Sequence, residues 1–214
     1  MSTRRLVASV RVLEAPAAEP VTVAQVQEYC RIDADVLAAQ SVIVPLLIQA
    51  ARERAETITG RAFVQRRLEA RYDAFPDGDE IIALPYPPLY SVEYVDYVDA
   101  NGTLQRLSGS PSQWLEDTGS APGRIQPLFG TSWPATRDQA GAVRIGYTCG
   151  YAPGTGSPTD YAANVPAAVK HWIFARISTW NERREHFDMA NVRDLPRDYV
   201  DGLLDELRVR LDFA

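Results

Sequence analysis

Residues 164–184 read NVPAAVKHWIFARISTWNERR. Val165, Val169, Trp172, Ile173, Ile177 and Trp180 recur at steps of three or four, so a helix over Val165 to Arg184 gathers them on one broad apolar stripe. Asn164 is suited to cap this helix, and Pro166 to its first turn, where a missing N–H costs nothing. Each large side chain buried on the stripe contributes on the order of 2 kcal/mol. Two tryptophans on one face need a partner surface wider than one short helix. The other helical patterns lie near the N-terminus, across a long β-rich middle, so the two ends of the chain are expected to meet.

The composition is that of an ordinary globular chain: 214 residues, 46% hydrophobic and 23% charged. A formal charge of −6 argues against a dedicated nucleic-acid binder, which carries a basic surplus. Lys170 is the one lysine, so the basic side chains are arginines. Cys30 and Cys149 stand far apart outside any CxxC or Cys/His spacing, which indicates neither a metal site nor a disulfide framework. The opening MSTRRLVASVRVLEA has a twin arginine, but Arg11 and Glu14 interrupt its apolar run too early for an export signal. With no stretch apolar enough to span a membrane, the product is expected to stay in the cytoplasm.

From the N-terminus, Thr22 with Gln25 forms a capping-box pattern ahead of a short helix whose Val23, Val26 and Cys30 point inward. A second helical region runs from about Asp35 to Thr59 and stops at Gly60, with Val44, Leu47, Ala51 and Ile58 near one face and a break expected around Ser41 to Pro45. After Gly60 the period changes to two. In Val64 to Ala74, apolar positions alternate with Gln65, Arg67, Glu69, Arg71 and Asp73, giving one dry face and one wet. Further strands are expected at Glu80 to Leu84, Ser91 to Asp99, Thr103 to Leu107, Gln113 to Glu116 and Ala142 to Tyr151, with Asn101-Gly102 as a tight hairpin. LPYPPLYS (84–91) and GRIQPLFGTSWPATRDQAG (123–141) read as loops pinned by their aromatics, and APGTGSPTDYAAN (152–164) as a linker. A turn around His186 to Asp194 leads to a last helix from about Pro196 to Leu211. The fold class is α+β: a small helical bundle from residues 1–63 and 160–214, with a β-rich insertion at 64–159.

Nothing in the sequence converges as catalytic chemistry demands. His186 with Glu185 and Asp188 lacks ligand spacing, and His171 lies off the apolar stripe. Serines 108, 110, 112 and 120 lack a GxSxG turn, the glycines of GYTCGYAPGTGSP lack a following GK[ST], and Asp77, Asp79 and Glu80 flank Gly78 in a turn. No catalytic, metal-binding or cofactor-binding residue is assigned, and the chain reads as a binding or assembly protein.

Five stretches in order, PVTVAQVQEYCRID (20–33), LLIQAARERAETITGRAF (46–63), LPYPPLYSVEYVDYVDANG (84–102), DTGSAPGRIQPLFGTSWPATRDQAGAVRIGYTCGY (117–151) and VPAAVKHWIFARISTWNERRE (165–185), make the chain resemble the head–tail connector proteins of tailed bacteriophages and gene transfer agents, also called adaptors or head-completion proteins. The run between Arg31 and Leu46 is longer than usual for that family and carries Pro45. The resemblance implies a non-catalytic structural protein that forms a ring, expected to be a dodecamer, under the capsid portal. Such a ring links the DNA-filled head to the tail or to a tail-side stopper or tail-completion protein. Its place would be a virion or phage-like particle, assembled in the bacterial cytoplasm, with DNA passing through the channel without specific binding and no membrane involved. Portal or subunit contact is expected at the C-terminal stripe Val200, Leu203, Leu207 and Leu211 with Phe213, which has little chain left to bury it; the alternative reading is that the same stripe covers the protein's own bundle. The readings from other classes are a small hydrolase, which needs a pocket of convergent polar groups, and a DNA-binding regulator, which needs a basic recognition helix.

Overall fold

The computed structural model describes residues 9–107, 113–156, 159–182 and 202–209. Two compact units divide the chain, one drawn from Met1–Pro16 with Gln65–Tyr151 and the other from Ala17–Val64 with Ala152–Ala214. Mixed α and β structure with antiparallel sheets agrees with the expected class.

In the β-rich unit, β1 (Ser9–Glu14), β2 (Arg66–Tyr72), β4 (Leu89–Val98), β5 (Leu104–Leu107) and β8 (Val143–Cys149) form a five-stranded sheet in the order β1-β2-β8-β4-β5. A second sheet has three strands, β3 (Ile82–Leu84), β7 (Gly123–Pro127) and β6 (Trp114–Asp117), in the order β3-β7-β6. Period-two alternation sets the dry face of the larger sheet: Ala70, Ile145 and Val95 are in register across β2, β8 and β4, and all three are fully buried. Tyr72 and Tyr147 lie on that face, and their hydroxyls donate to the carbonyls of Ala83 (2.9 Å) and Pro85 (3.0 Å) at the smaller sheet. Burial pushes both phenols well above their ordinary range. The Asn101-Gly102 hairpin forms as expected. Gly102 takes φ +87°, and the Asp99 carboxylate accepts from the backbone N–H of Asn101 and Thr103.

In the helical unit, α1 (Val23–Cys30) opens on the capping box, with Thr22 and Gln25 bonded reciprocally at 2.9 and 3.2 Å. α2 (Ala34–Ala39) is separated from α3 (Ile43–Thr59) by a break at residues 40–42, at the start of the Ser41 to Pro45 stretch where one is expected. Pro45 is the third residue of α3, inside the first turn, where its absent N–H has no helical carbonyl to meet. Gly60 ends α3 in the left-handed conformation at φ +69°. α4 (Ala167–Glu182) packs on α3 and α1, burying Val165, Val169, Trp172, Ile173 and Ile177, while Trp180 is half-buried. A 3-10 segment, Gly202–Leu207, packs on α3 and α4.

Several expectations are corrected. Residues 1–63 are expected in the helical bundle, yet β1 pairs with β2 and belongs to the sheet; its VRV core is too short to stand out between Arg5 and Glu14. The stretch 123–141 is not all loop. Gly123, Ile125 and Pro127 point inward and Arg124 and Gln126 outward, making β7 the central strand of the smaller sheet. On α3 the buried face runs through Val44, Ile48, Ala51, Arg52 and Ala55, so Ile48 replaces Leu47, which is half-exposed. The Asn164 side-chain amide donates to the Ala152 carbonyl at 2.9 Å, and α4 begins at Ala167. Of the last expected helix, Pro196 to Leu211, the described part is 202–209, of which Gly202–Leu207 is the 3-10 segment. Val200, Leu211 and Phe213, the turn around His186 and serines 108, 110 and 112 lie outside the described residues.

Candidate assembly surfaces

No three His, Cys, Asp or Glu side chains among the described residues are grouped so as to hold a metal ion. Among the same residues no helix is long and apolar enough to cross a membrane. Cys149 is buried in β8, as its strand position required, and Cys30 is half-buried. His171 is exposed on α4, edge-on to the Tyr29 ring at 6.1 Å, and Tyr29 stacks on Phe174 at 5.2 Å. Asp77, Asp79 and Glu80 sit in the turn that Gly78 closes at φ +63°.

A cavity of about 300 Å³ opens on the solvent face of the smaller sheet, lined by Ile81, Leu115, Asp117 and Arg124 among others. Its lining has no Ser, Thr, Cys, Lys or His side chain, and its two carboxylates are those of Glu116 and Asp117. The Asp117 carboxylate accepts from the Ser120 hydroxyl and the Arg124 guanidinium, which together hold it down at about 2. Spent in this way, it is no proton donor near neutrality.

The outer face of the five-stranded sheet is densely charged, and three of its arginines, Arg67, Arg71 and Arg106, are paired with carboxylates. Arg67 bridges Glu14 and Glu93, and Arg106 donates twice to Asp96, at 2.6 and 2.8 Å. Arg71 Nε donates to Glu69 at 2.7 Å, and the Tyr94 hydroxyl donates to the other Glu69 oxygen at 2.9 Å. Tyr94 lies across Gly146 so closely that a Cβ there would overlap its ring. Glu69, expected on the wet face, is therefore only 7% exposed. Burial alone would raise its pKa, but the bonds from Arg71 and Tyr94 outweigh that and hold the carboxyl below its ordinary value. Burial, and then the same contact with Glu69, push the Tyr94 phenol up to about 12. Arginines engaged with carboxylates in this way do not form the open basic patch that a duplex backbone requires.

Exposed apolar side chains are the remaining feature, and here the structure adds residues that periodicity did not single out. Phe129 stands fully exposed in a turn closed by the Thr131 N–H on the Leu128 carbonyl. At the start of α3, Val42, Ile43 and Leu46 are 70%, 53% and 55% exposed. Their 42/43/46 spacing was a legible signal once the buried face was known to run through 44, 48 and 51. Among the expected contact residues, Leu203 and Leu207 are half-buried, while Leu204 between them is fully buried. The Val209 N–H reaches the Thr59 carbonyl at 2.8 Å, tying this segment to the end of α3.

No protein-family model matches the sequence, and no curated protein matches it. Solved structures do match. A chain from the neck of an empty gene transfer agent particle, computed with C6 symmetry, superposes with a TM-score of 0.72 at 22% identity, covering 94% of this chain and 96% of that one. A chain of the virion of a native gene transfer agent particle gives 0.71 at 22% identity, covering 94% and 95%. A chain from the neck of a native particle, computed with C12 symmetry, gives 0.67 at 22% identity over 94% and 96%. This protein and those neck and virion chains share one fold over nearly their whole lengths.

Proposed function

We propose that this chain is a head–tail connector: a non-catalytic adaptor that forms a ring beneath the capsid portal and joins the DNA-filled head to the tail or its stopper. The observation that carries the reading is the match over 94% of this chain to the neck chains of gene transfer agent particles. Their C6 and C12 symmetries support a ring, with the portal, a tail-side protein and further copies of the chain as partners. A bundle built from residues 1–63 and 160–214 around an insertion at 64–159 is the architecture proposed for it, with β1 the exception already noted. A surface whose arginines are paired, on a chain of net charge −6, suits a channel wall that DNA slides past.

The C-terminal segment is proposed as the portal or subunit contact, through Leu203 and Leu207 with Val200, Leu211 and Phe213. Leu204 anchors the segment to its own unit, so half-exposed leucines on either side of it can be presented to a partner. Deleting everything after Asp194 would remove that anchor as well as the contact. Point changes are cleaner. Leu211→Ser with Phe213→Ser is expected to leave the thermal midpoint unchanged and to abolish co-sedimentation with portal-bearing heads. Attachment at wild-type level would reject the contact. Cells lacking the chain are expected to accumulate filled heads and separate tails, seen by electron microscopy; tailed particles at normal yield would reject the connector reading itself.

A further inference from the structure

We infer that the start of α3, through Val42, Ile43 and Leu46, is a surface by which one copy of this chain contacts the next. The inference rests on the ring proposed above and names a face for it. On a helix these positions fall on one side, opposite the buried Val44, Ile48 and Ala51, so the unit's own core does not use them. Three large aliphatic side chains within five residues are each more than half exposed, and exposed apolar side chains grouped on one side of an element are the feature that marks protein contacts.

Local structure does not explain them either. Val42 occupies the N-cap of α3 and makes no side-chain cap hydrogen bond. Ser, Thr, Asp or Asn there would favour the helix by about 1 kcal/mol. An apolar residue kept in water at a position where a polar one serves the fold better indicates a use outside the fold.

Charge decides the occupant. Val36–Ala51, sixteen residues, carry no charged side chain in a chain that is 23% charged. An anionic membrane or a nucleic acid is recognised through Lys and Arg flanking the apolar face, and this stretch has none. A strongly basic partner would call for carboxylates. Two copies of one acidic chain repel each other wherever their charges face, so a neutral apolar patch is where they can meet at least cost. Contacts in a closed ring are heterologous, so the stripe of one copy meets a different surface of its neighbour.

The test uses the full-length chain with Ile43→Asp and Leu46→Asp together. Both side chains are exposed, so the thermal midpoint is expected to hold. Sedimentation velocity from low micromolar to millimolar concentration is expected to show rings for the wild type and monomer for the variant, with the dissociation constant raised by more than about 30-fold. Should the Asp pair fail to fold, Ile43→Ser with Leu46→Gln reads the same loss without new charge. A folded variant that assembles like the wild type overturns the surface and leaves the ring standing. A wild type that stays monomeric throughout and forms no rings by electron microscopy even when mixed with portal-bearing heads overturns both. Wild-type binding to phosphatidylglycerol vesicles, lost in the variant while self-association is unchanged, would assign the stripe to lipid and overturn the inference.

Discussion

Glu69 shows how one side chain can be wet by sequence and dry by structure. Its neighbours on β2 alternate as a solvent face should, but Tyr94 reaches over Gly146 from the far side of β8 and covers it. Only glycine permits that approach. With a native pKa below that of the unfolded chain, the carboxylate contributes stability that is complete above its ordinary value of 4.5 and is lost as pH falls through the native value. Glu69→Gln is therefore expected to cost about 1–3 kcal/mol near pH 7, where Arg71 and Tyr94 lose a charged acceptor. The gap between variant and wild type should close as pH drops below 4.5. Thermal unfolding followed from pH 7 to pH 3 reads this directly, and a gap that stays constant in acid would mean the carboxylate is not what Tyr94 and Arg71 hold.

Elements in the helical unit are joined by a charge cluster as well as by apolar faces. Arg52, 4% exposed on α3, donates to both Glu19 oxygens at 2.7 and 3.2 Å and to Glu56 at 2.9 Å. Desolvation works against the guanidinium, but Glu19, Glu56 and Glu53 more than offset it, and its pKa is raised. Glu56 also accepts from the Phe63 N–H at 3.1 Å, linking α3 to the chain that leaves it. Arg52→Ala strands a buried carboxylate, and a loss of about 3–5 kcal/mol is expected in denaturant unfolding. Adding Glu56→Gln, which keeps an acceptor for Phe63, should recover part of it. If the double variant loses the sum of the single losses, the two residues do not act as a pair.

For the molecule as a whole, the net charge makes assembly a balance between apolar contact and like-charge repulsion. Screening weakens repulsion between exposed charges over a Debye length of about 10 Å at 0.1 M salt and about 3 Å at 1 M. Self-association is therefore expected to strengthen as sodium chloride rises across that range, measured by light scattering at fixed protein concentration. Weakening with salt would show that ion pairs, rather than the neutral stretch around α3, hold the copies together.

Sequence periodicity by itself determined the element types where one face is buried by local repetition. The α4 stripe, the β8 alternation, the Thr22 capping box, the Gly60 stop and the Asn101-Gly102 hairpin are dictated by residues within a few positions of one another. Five ordered stretches of the sequence also carry the resemblance to head–tail connectors, and the fold is shared with gene transfer agent neck chains. What depends on partners distant in sequence was decided only by tertiary structure. β1 and β7 are strands because neighbours far along the chain supply their hydrogen bonds, and the phase of α3 follows from which side α4 covers. Val42, Ile43, Leu46 and Phe129 are exposed although apolar, because hydrophobicity says that a side chain prefers burial and not whether its own fold provides it.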